Sequence, residues 1–178
     1  MKDIKNDEKL NVLNHSCAHL LAHAVKHLYP NAKYWVGPVI ESGFYYDIDL
    51  GDVTLTEEDL PKIEHEMKKI AKSNKLIKRI ELSKKEALEM FKDDEYKLDL
   101  ISRMDENDTV ISAYQQEDFI DLCRGPHMNS TKDMKYFKLL KVSGAYWKAD
   151  AKNKMLQRIY GYILNFFVYF QEYLEYLH

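Results

Sequence analysis

Gly43-Phe44-Tyr45-Tyr46-Asp47-Ile48-Asp49-Leu50 decides the fold class of this 178-residue chain. Phe44, Tyr46, Ile48 and Leu50 alternate with Tyr45, Asp47 and Asp49, the period-two pattern of a half-buried strand. Preceded by Ser42-Gly43 and the stretch 34–40, it reads as the second arm of a β-hairpin. Upstream, Leu10, Leu13, Leu20, Leu21, Val25 and Leu28 recur at mostly three- and four-residue intervals, which predicts a helix from Glu8 to Leu28. Pro30 and Asn31 stop it. Downstream, Thr56 and Asp59 resemble a capping box, with Pro61 in the first turn of a helix that carries Leu60, Ile63, Met67 and Ile70. A strand is predicted over 76–82, and a short helix capped by Ser83 runs to Phe91. Further strands are predicted over 96–101, 109–114 and 137–142. A long helix is predicted from Asn153 onward. Helices and paired strands without regular βαβ alternation imply an α+β fold, a two-layer sandwich of antiparallel sheet and helices. The division expected is a globular unit over 1–152 and a C-terminal helix over 153–178.

Composition narrows the class of protein. The chain is 46% hydrophobic and 12% aromatic, enough for a core, with 26 basic and 29 acidic side chains. Six glycines and four prolines exclude a collagen-like or low-complexity chain. The apolar run 163–170 is far short of the ~20 residues a membrane span needs. The polar start of the chain does not resemble a signal peptide, and Cys17 and Cys123 alone cannot build a disulfide framework. A cytoplasmic protein without a membrane partner is expected. Its charge is uneven. Residues 86–121 carry a net −9 and residues 124–158 a net +7, and a local basic stripe can hold a polyphosphate even on an acidic domain. A solvated face of lysines would read the same way.

Chemistry concentrates in two short stretches. In His15-Ser16-Cys17-Ala18-His19 the two histidines stand four apart, one helical turn, and can converge on one atom or one water. Cys17 points elsewhere and reads as a small buried hydrophobe. His23 and His27 continue the spacing but drift ~40° per step at 3.6 residues per turn, so they are expected to face solvent or core. The second stretch, Cys123-Arg124-Gly125-Pro126-His127, is a tight turn presenting a thiol and an imidazole. Three imidazoles and a thiolate suit tetrahedral zinc. A closed zinc site and an open pocket where imidazoles handle water both fit. A zinc protease does not, because Ser16 stands where the HExxH motif needs its glutamate. Asp121, two residues before Cys123, would share its face if that stretch is extended, and could orient an imidazole or an ammonium. Lys97, isolated in the acidic region, could anchor a carbonyl or help deprotonate water, and Tyr45 and Tyr46 read as packing residues with one hydroxyl near the pocket.

These residues resemble a known family. His15-Ser16-Cys17-Ala18-His19, Val36-Gly37-Pro38-Val39-Ile40, Gly43-Phe44-Tyr45-Tyr46-Asp47, Cys123-Arg124-Gly125-Pro126-His127 and Gly144-Ala145-Tyr146-Trp147 follow, in order, the motifs of the editing ("second additional") domain of threonyl-tRNA synthetases. The run 153–161 is similar to the segment leading from that domain toward the synthetase core. The resemblance extends from about Asn14 to Gly161. Related alanyl-tRNA editing proteins share the two pairs but usually read Cys-Gly-Gly-Thr-His in the second, so Arg124 and Pro126 point to the threonyl branch.

The resemblance implies an aminoacyl-tRNA editing domain over 1–152. Its pocket falls on His15, His19, Lys97, Asp121, Cys123 and His127, with Tyr46 and Asp47 at the wall. His15, Lys97 and Asp121 take catalytic roles. His19, Tyr46, Asp47, Cys123 and His127 take substrate-binding ones. The pocket is expected to be a wet hollow between the imidazoles and the thiol. The implied reaction is hydrolysis of Ser-tRNA for threonine, by a free-standing or truncated domain without aminoacylation activity, since no stretch resembles the ATP-binding motifs of class II synthetases. No cofactor is required, although His15, His19, Cys123 and His127 are the candidate zinc ligands. The implied partner is the tRNA acceptor end carrying serine, with a second copy or a synthetase catalytic core as protein partner. The aromatic C-terminal helix is expected to pack on its own domain, with dimerisation as the alternative. Two rival readings stand beside this one, a catalytically silent tRNA-binding or regulatory remnant and a zinc-stabilised module like the alanyl-tRNA editing domains.

Overall fold

The computed structural model describes residues 3–105, 107 and 110–177. Thr109 of one predicted strand, Glu106 and Asp108 of the acidic stretch, and residues 1, 2 and 178 lie outside them. The chain begins with helix α1 (Glu8–Leu28), capped by the Asp7 carboxylate, which accepts from the Leu10 N–H. Strands β1 (Lys33–Tyr34), β2 (Val39–Ile40) and β3 (Gly43–Asp49) follow, then a 3₁₀ turn over Glu57–Asp59 leading into helix α2 (Leu60–Lys72). Strand β4 (Ile77–Leu82), helices α3 (Lys84–Met90) and α4 (Glu95–Ser102), and strands β5 (Ile111–Gln116) and β6 (Phe119–Leu122) form the middle of the chain. It closes with β7 (Tyr136–Tyr146), β8 (Met155–Leu164) and helix α5 (Phe166–Tyr176).

Two antiparallel sheets result. The larger has the order β1-β3-β8-β7, with β2 also paired to β3, and the smaller has the order β4-β5-β6. Helix α1 packs on α2, β3 and β8. Its buried Leu10, Leu13, Leu20, Leu21 and Val25 meet Phe44, Tyr46 and Ile48 of β3 and Ile159 and Ile163 of β8 in one core. Each such side chain contributes about 1.5–3 kcal/mol on burial. The Asn14 side chain is also buried. Its amide donates to the Ile163 carbonyl at 3.0 Å and accepts from the Ile163 N–H at 3.0 Å, so it pairs with β8 as a neighbouring strand would. That clamp fixes the rotation of α1 one residue before His15. The smaller sheet covers a second, smaller core of Leu82, Ala87, Phe91, Ile101, Ile111 and Ala113. The α+β class is as expected, the predicted 8–28 helix and the Thr56 capping box stand as read, and Ser83 caps α3 as predicted, in a capping box with Glu86.

Three predicted elements differ. The segment predicted as a strand over 96–101 is helix α4, because the Asp94 carboxylate accepts from the backbone N–H groups of Tyr96 and Lys97 and caps it. The strand predicted over 137–142 continues through Ser143-Gly144 to Tyr146, with a register shift between Leu139 and Lys141. The helix predicted from Asn153 begins only at Phe166, and residues 155–164 are β8, the central strand between β3 and β7. Ile159, Tyr162, Ile163 and Phe166 mimic helical spacing. Yet β-branched and aromatic residues also suit a pleated strand, and pairing on both edges decides for it. Nor does α5 bury its apolar girth. Val168 is buried, whereas Phe166, Phe167, Phe170, Tyr173 and Leu177 are exposed.

Gly43 marks the tightest approach in the larger sheet. Its φ is +146°, and a Cβ built there would lie 2.1 Å from the Gly161 carbonyl oxygen on β8. Gly43→Ala is therefore expected to destabilise the fold by at least about 1–3 kcal/mol, the cost of holding a side chain in a glycine-only conformation. A urea unfolding curve with an unchanged midpoint would contradict this.

Candidate functional site: a buried ion pair beside three imidazoles

Four elements converge on one carboxylate. Asp121, on β6, is buried and accepts from the Lys97 ammonium at 2.7 Å and from the Tyr46 hydroxyl at 2.5 Å, with His19 Nε2 3.2 Å away. Lys97, on α4, is buried too, and also donates to the Trp35 carbonyl at 2.8 Å and the Tyr46 hydroxyl oxygen at 3.1 Å. Every ammonium proton thus has an acceptor. Burial alone would raise the Asp121 carboxyl, but Lys97 and His19, with the Tyr46 hydroxyl, outweigh it and hold it below the usual carboxylate range. Burial, helped by the same carboxylate, pushes the Tyr46 phenol well above its ordinary value. Tyr46 therefore stays a donor.

The second half of the site is built on the Cys123 thiol. His15 Nε2 lies 3.2 Å and His127 Nε2 3.1 Å from its sulfur, which also accepts from the Gly125 N–H at 3.2 Å. Ser16 hydrogen-bonds His127 Nδ1 at 3.0 Å and accepts from the Met128 N–H at 2.8 Å, which ties the turn after β6 to α1. Tyr114 packs edge-on against the His127 ring, 4.4 Å between centroids. The His127 ring centroid lies 4.3 Å from that of His15 and 4.2 Å from that of His19. Burial lowers all three imidazoles, His19 to about 4 and His127 further, and His15 is lowered although Asp121 and a hydrogen bond to the Pro126 backbone oppose the shift. Burial also pushes the Cys123 thiol up to about 12. At neutral pH the cluster is three neutral imidazoles around a neutral thiol, and its charge is confined to Lys97 and Asp121.

Of the sequence-predicted residues, His15, His19, Tyr46, Lys97, Asp121, Cys123 and His127 come together. Asp47 does not join them. It points to the opposite face of β3, where Arg158 holds it through two bonds at 2.8 and 2.9 Å, with the guanidinium stacked on Tyr45. Lys97 reaches the site from a helix rather than a strand. The expected hollow between imidazoles and thiol is filled by the side chains themselves, and two recesses lie beside them. One, of about 590 Å³, is lined by Lys97 and Asp121 with Tyr34, Asp94 and Phe119. The other, of about 230 Å³, is lined by Cys123 with Leu100, Met104 and Leu122. Sequence reasoning missed Trp35, which contributes only a carbonyl and leaves no side-chain signal. It also missed the bonding role of Ser16, whose place one residue after His15 was the available sign.

One ligand atom from each of His15, His19, Cys123 and His127 lies within 4.8 Å of the others. The donor types and proximity suit zinc, which binds thiolate sulfur and imidazole nitrogen tetrahedrally. Asp121, 3.2 Å from His19 Nε2, stands where a carboxylate could orient that imidazole on a metal.

The residues that bring a buried Lys–Asp pair beside a paired His/Cys cluster also carry a likeness to known proteins. Residues 111–160, which include Asp121, Cys123 and His127, match the family described as the threonyl and alanyl tRNA synthetase second additional domain. The chain is 54% identical over 156 residues to the threonine--tRNA ligase of Enterococcus faecalis, covering 88% of this chain and 24% of that protein. It is 58% identical over 159 residues to that of Oceanobacillus iheyensis, covering 88% and 24%. With that of Thermotoga neapolitana it shares 55% identity over 160 residues, covering 89% and 25%. The chain is thus similar to the second additional domain of threonyl and alanyl tRNA synthetases and to part of several threonine--tRNA ligases. It spans about a quarter of the length of these relatives. Among the described residues no helix is long and apolar enough to cross a membrane.

Two outcomes follow from this geometry. Lys97→Met strands Asp121 without its cation in the interior and is expected to cost about 3–5 kcal/mol in chemical unfolding. Adding Asp121→Asn should recover part of that loss, whereas additive losses would show that the two groups are not coupled. The buried imidazoles set the pH response. His19 binds its proton at about pH 4 folded against 6.5 unfolded, so between these values the unfolded chain binds more protons and stability falls as pH falls. His15 and His127 act in the same direction, and the raised, mostly exposed His27 acts weakly against them. The unfolding midpoint should hold near pH 7 and drop steadily from 6.5 toward 4, and a flat profile would contradict neutral imidazoles.

Proposed function

We propose that this domain hydrolyses the ester between serine and the 3′-terminal adenosine of tRNA for threonine, as an editing activity without aminoacylation. The observation that carries the reading is the closed Lys97–Asp121–Tyr46–His19 network standing directly beside the His15–Cys123–His127 cluster. The likeness to the second additional domain and to threonine--tRNA ligases supports it. The selectivity problem is physical: serine lacks one methyl of threonine, and a missing methylene is worth only ~1–3 kcal/mol in a binding pocket, so a second, hydrolytic sieve is needed.

The ester is already activated, so the domain has to position water and stabilise the oxyanion. Water attacks the seryl carbonyl carbon, the bond to the ribose oxygen breaks, and that oxygen leaves protonated. His15, neutral at physiological pH, takes the proton of the water. Lys97 supplies fixed positive charge toward the developing oxyanion, and Asp121 holds both Lys97 and the His19 ring in place. His19, Cys123 and His127 shape the pocket and meet the terminal ribose, with Tyr46 as a fixed hydroxyl at the wall. The extra methyl of threonine has no room. The +7 stretch 124–158 guides the acceptor end. A synthetase catalytic core or a second copy would meet the exposed aromatic face of α5.

The reaction so written needs no metal. Zinc held by His15, His19, Cys123 and His127 would supply either a structural tie or Lewis-acid polarisation of the carbonyl.

The deciding assay incubates the chain separately with Ser-tRNA and Thr-tRNA and follows ester loss. Serine should be released and threonine retained. His15→Ala and Lys97→Ala, checked for folding by circular dichroism, should each slow release by ~100-fold. Full rate in both variants sinks the assignment, and tRNA binding without release would favour the silent remnant. Chelator dialysis should leave the rate intact; unfolding on zinc removal would favour the zinc-stabilised module.

A further inference from the structure

One side-chain cluster outside this site is built like a second set of metal ligands. The four-residue spacing of His15 and His19 continues to His23 and His27, and β5 and β6 bring Asp118, in the turn between them, against both. His23 Nε2 lies 2.8 Å from Asp118 Oδ1, and His27 Nε2 lies 3.2 and 3.3 Å from the two carboxylate oxygens. One ligand atom from each residue lies within 4.8 Å of the other two. An ion bonded tetrahedrally at about 2.0–2.1 Å holds its donors about 3.3 Å apart, so the two imidazole–carboxylate separations already stand near that value, and the two imidazoles lie within 4.8 Å of each other.

The surrounding contacts strengthen this reading. The Glu66 carboxylate bonds His27 Nδ1 at 2.9 Å, the carboxylate–imidazole arrangement that fixes a ligating ring and leaves Nε2 for the metal. The Gln116 amide bonds His23 Nδ1 at 3.0 Å, and its oxygen can take that place by a half-turn of the amide, accepting the ring N–H. His23 is buried and stacked on Phe119, with centroids 5.4 Å apart and planes 15° off parallel, so its nitrogen is aimed rigidly. Asp118 and the His27 side chain reach the surface, which leaves an open coordination position. Phe119 also meets His19 edge-on at 6.4 Å and so stands between the two clusters. Asp118 lines the same 590 Å³ recess as Lys97 and Asp121.

We propose that His23, His27 and Asp118 form a cation site for a borderline transition metal, zinc or cobalt(II), separate from the His15–His19–Cys123–His127 set. Two imidazoles and one carboxylate favour such ions over magnesium or calcium, which take oxygen. The site does not depend on the proposed hydrolysis, because none of its three ligands enters that reaction.

The test titrates the whole chain with Zn²⁺ alone and measures bound metal by elemental analysis after gel filtration. Cys123→Ser removes the thiolate of the other donor set and should still leave one equivalent of bound zinc. In that background His27→Gln and Asp118→Asn should each weaken zinc at least tenfold, and Glu66→Gln should weaken it about 10-fold, the scale of losing a ligand-orienting partner. Co²⁺ bound to Cys123→Ser should show ligand-field bands that His27→Gln abolishes. Both ligand positions are exposed, so the variants should keep the parent thermal transition. Failure of Cys123→Ser to bind zinc, or binding indifferent to His27→Gln and Asp118→Asn, overturns the proposal. Ester hydrolysis is read in a separate assay, so loss of either idea leaves the other standing.

Discussion

The structure turns on a buried charge pair. Burying Asp121 and Lys97 costs free energy that their mutual attraction alone rarely recovers, so every remaining lone pair and proton must be met. Here the carboxylate accepts from Lys97 and Tyr46 with His19 close by, and the ammonium gives to Asp121, Trp35 and Tyr46. These partners come from α1, α4, β6, β3 and the chain between β1 and β2. Satisfying one pair therefore locks together every element that surrounds the site, and the smaller sheet cannot shift against α1 without exposing a charge to an apolar interior.

Burial around that pair sets the charge of its neighbours. Desolvation dominates at His15, His19 and His127 and keeps the rings neutral, and the same burial keeps the Cys123 thiol protonated. Neutral imidazoles can accept protons and can ligate metals; charged ones do neither. The chemistry open to the site, proton transfer or metal binding, is thus a consequence of packing as much as of residue type. The helix spacing is used twice, once to place His15 and His19 on the thiol and Asp121, and once to carry His23 and His27 to Asp118.

Where sequence reasoning erred, local pattern met a tertiary decision. Ile159, Tyr162, Ile163 and Phe166 satisfy helical periodicity, yet β3 and β7 offer hydrogen bonds on both edges, and a central strand buries the same residues better. Lys97 lies in helix α4 because Asp94 caps it, a signal present in the sequence but weaker than the alternation around it. Asp47 follows Tyr46 directly and therefore had to face the other way, since neighbouring strand residues point to opposite faces. There the Arg158 guanidinium, brought across by the β3–β8 register, compensates its burial.

The sequence by itself determined the α1 helix, the strand alternation of β3, the helix caps at Thr56 and Ser83, and the two histidine–cysteine stretches with their spacing. These depend on contacts within a few residues, where periodicity and capping chemistry act directly. Only the tertiary structure decided that Lys97 and Asp121 would meet, that Asn14 would hold β8, that Asp118 would close on His23 and His27, and that 155–164 would be a strand. Those outcomes depend on groups far apart along the chain, brought together when the core excludes water and each buried polar group must find its partner.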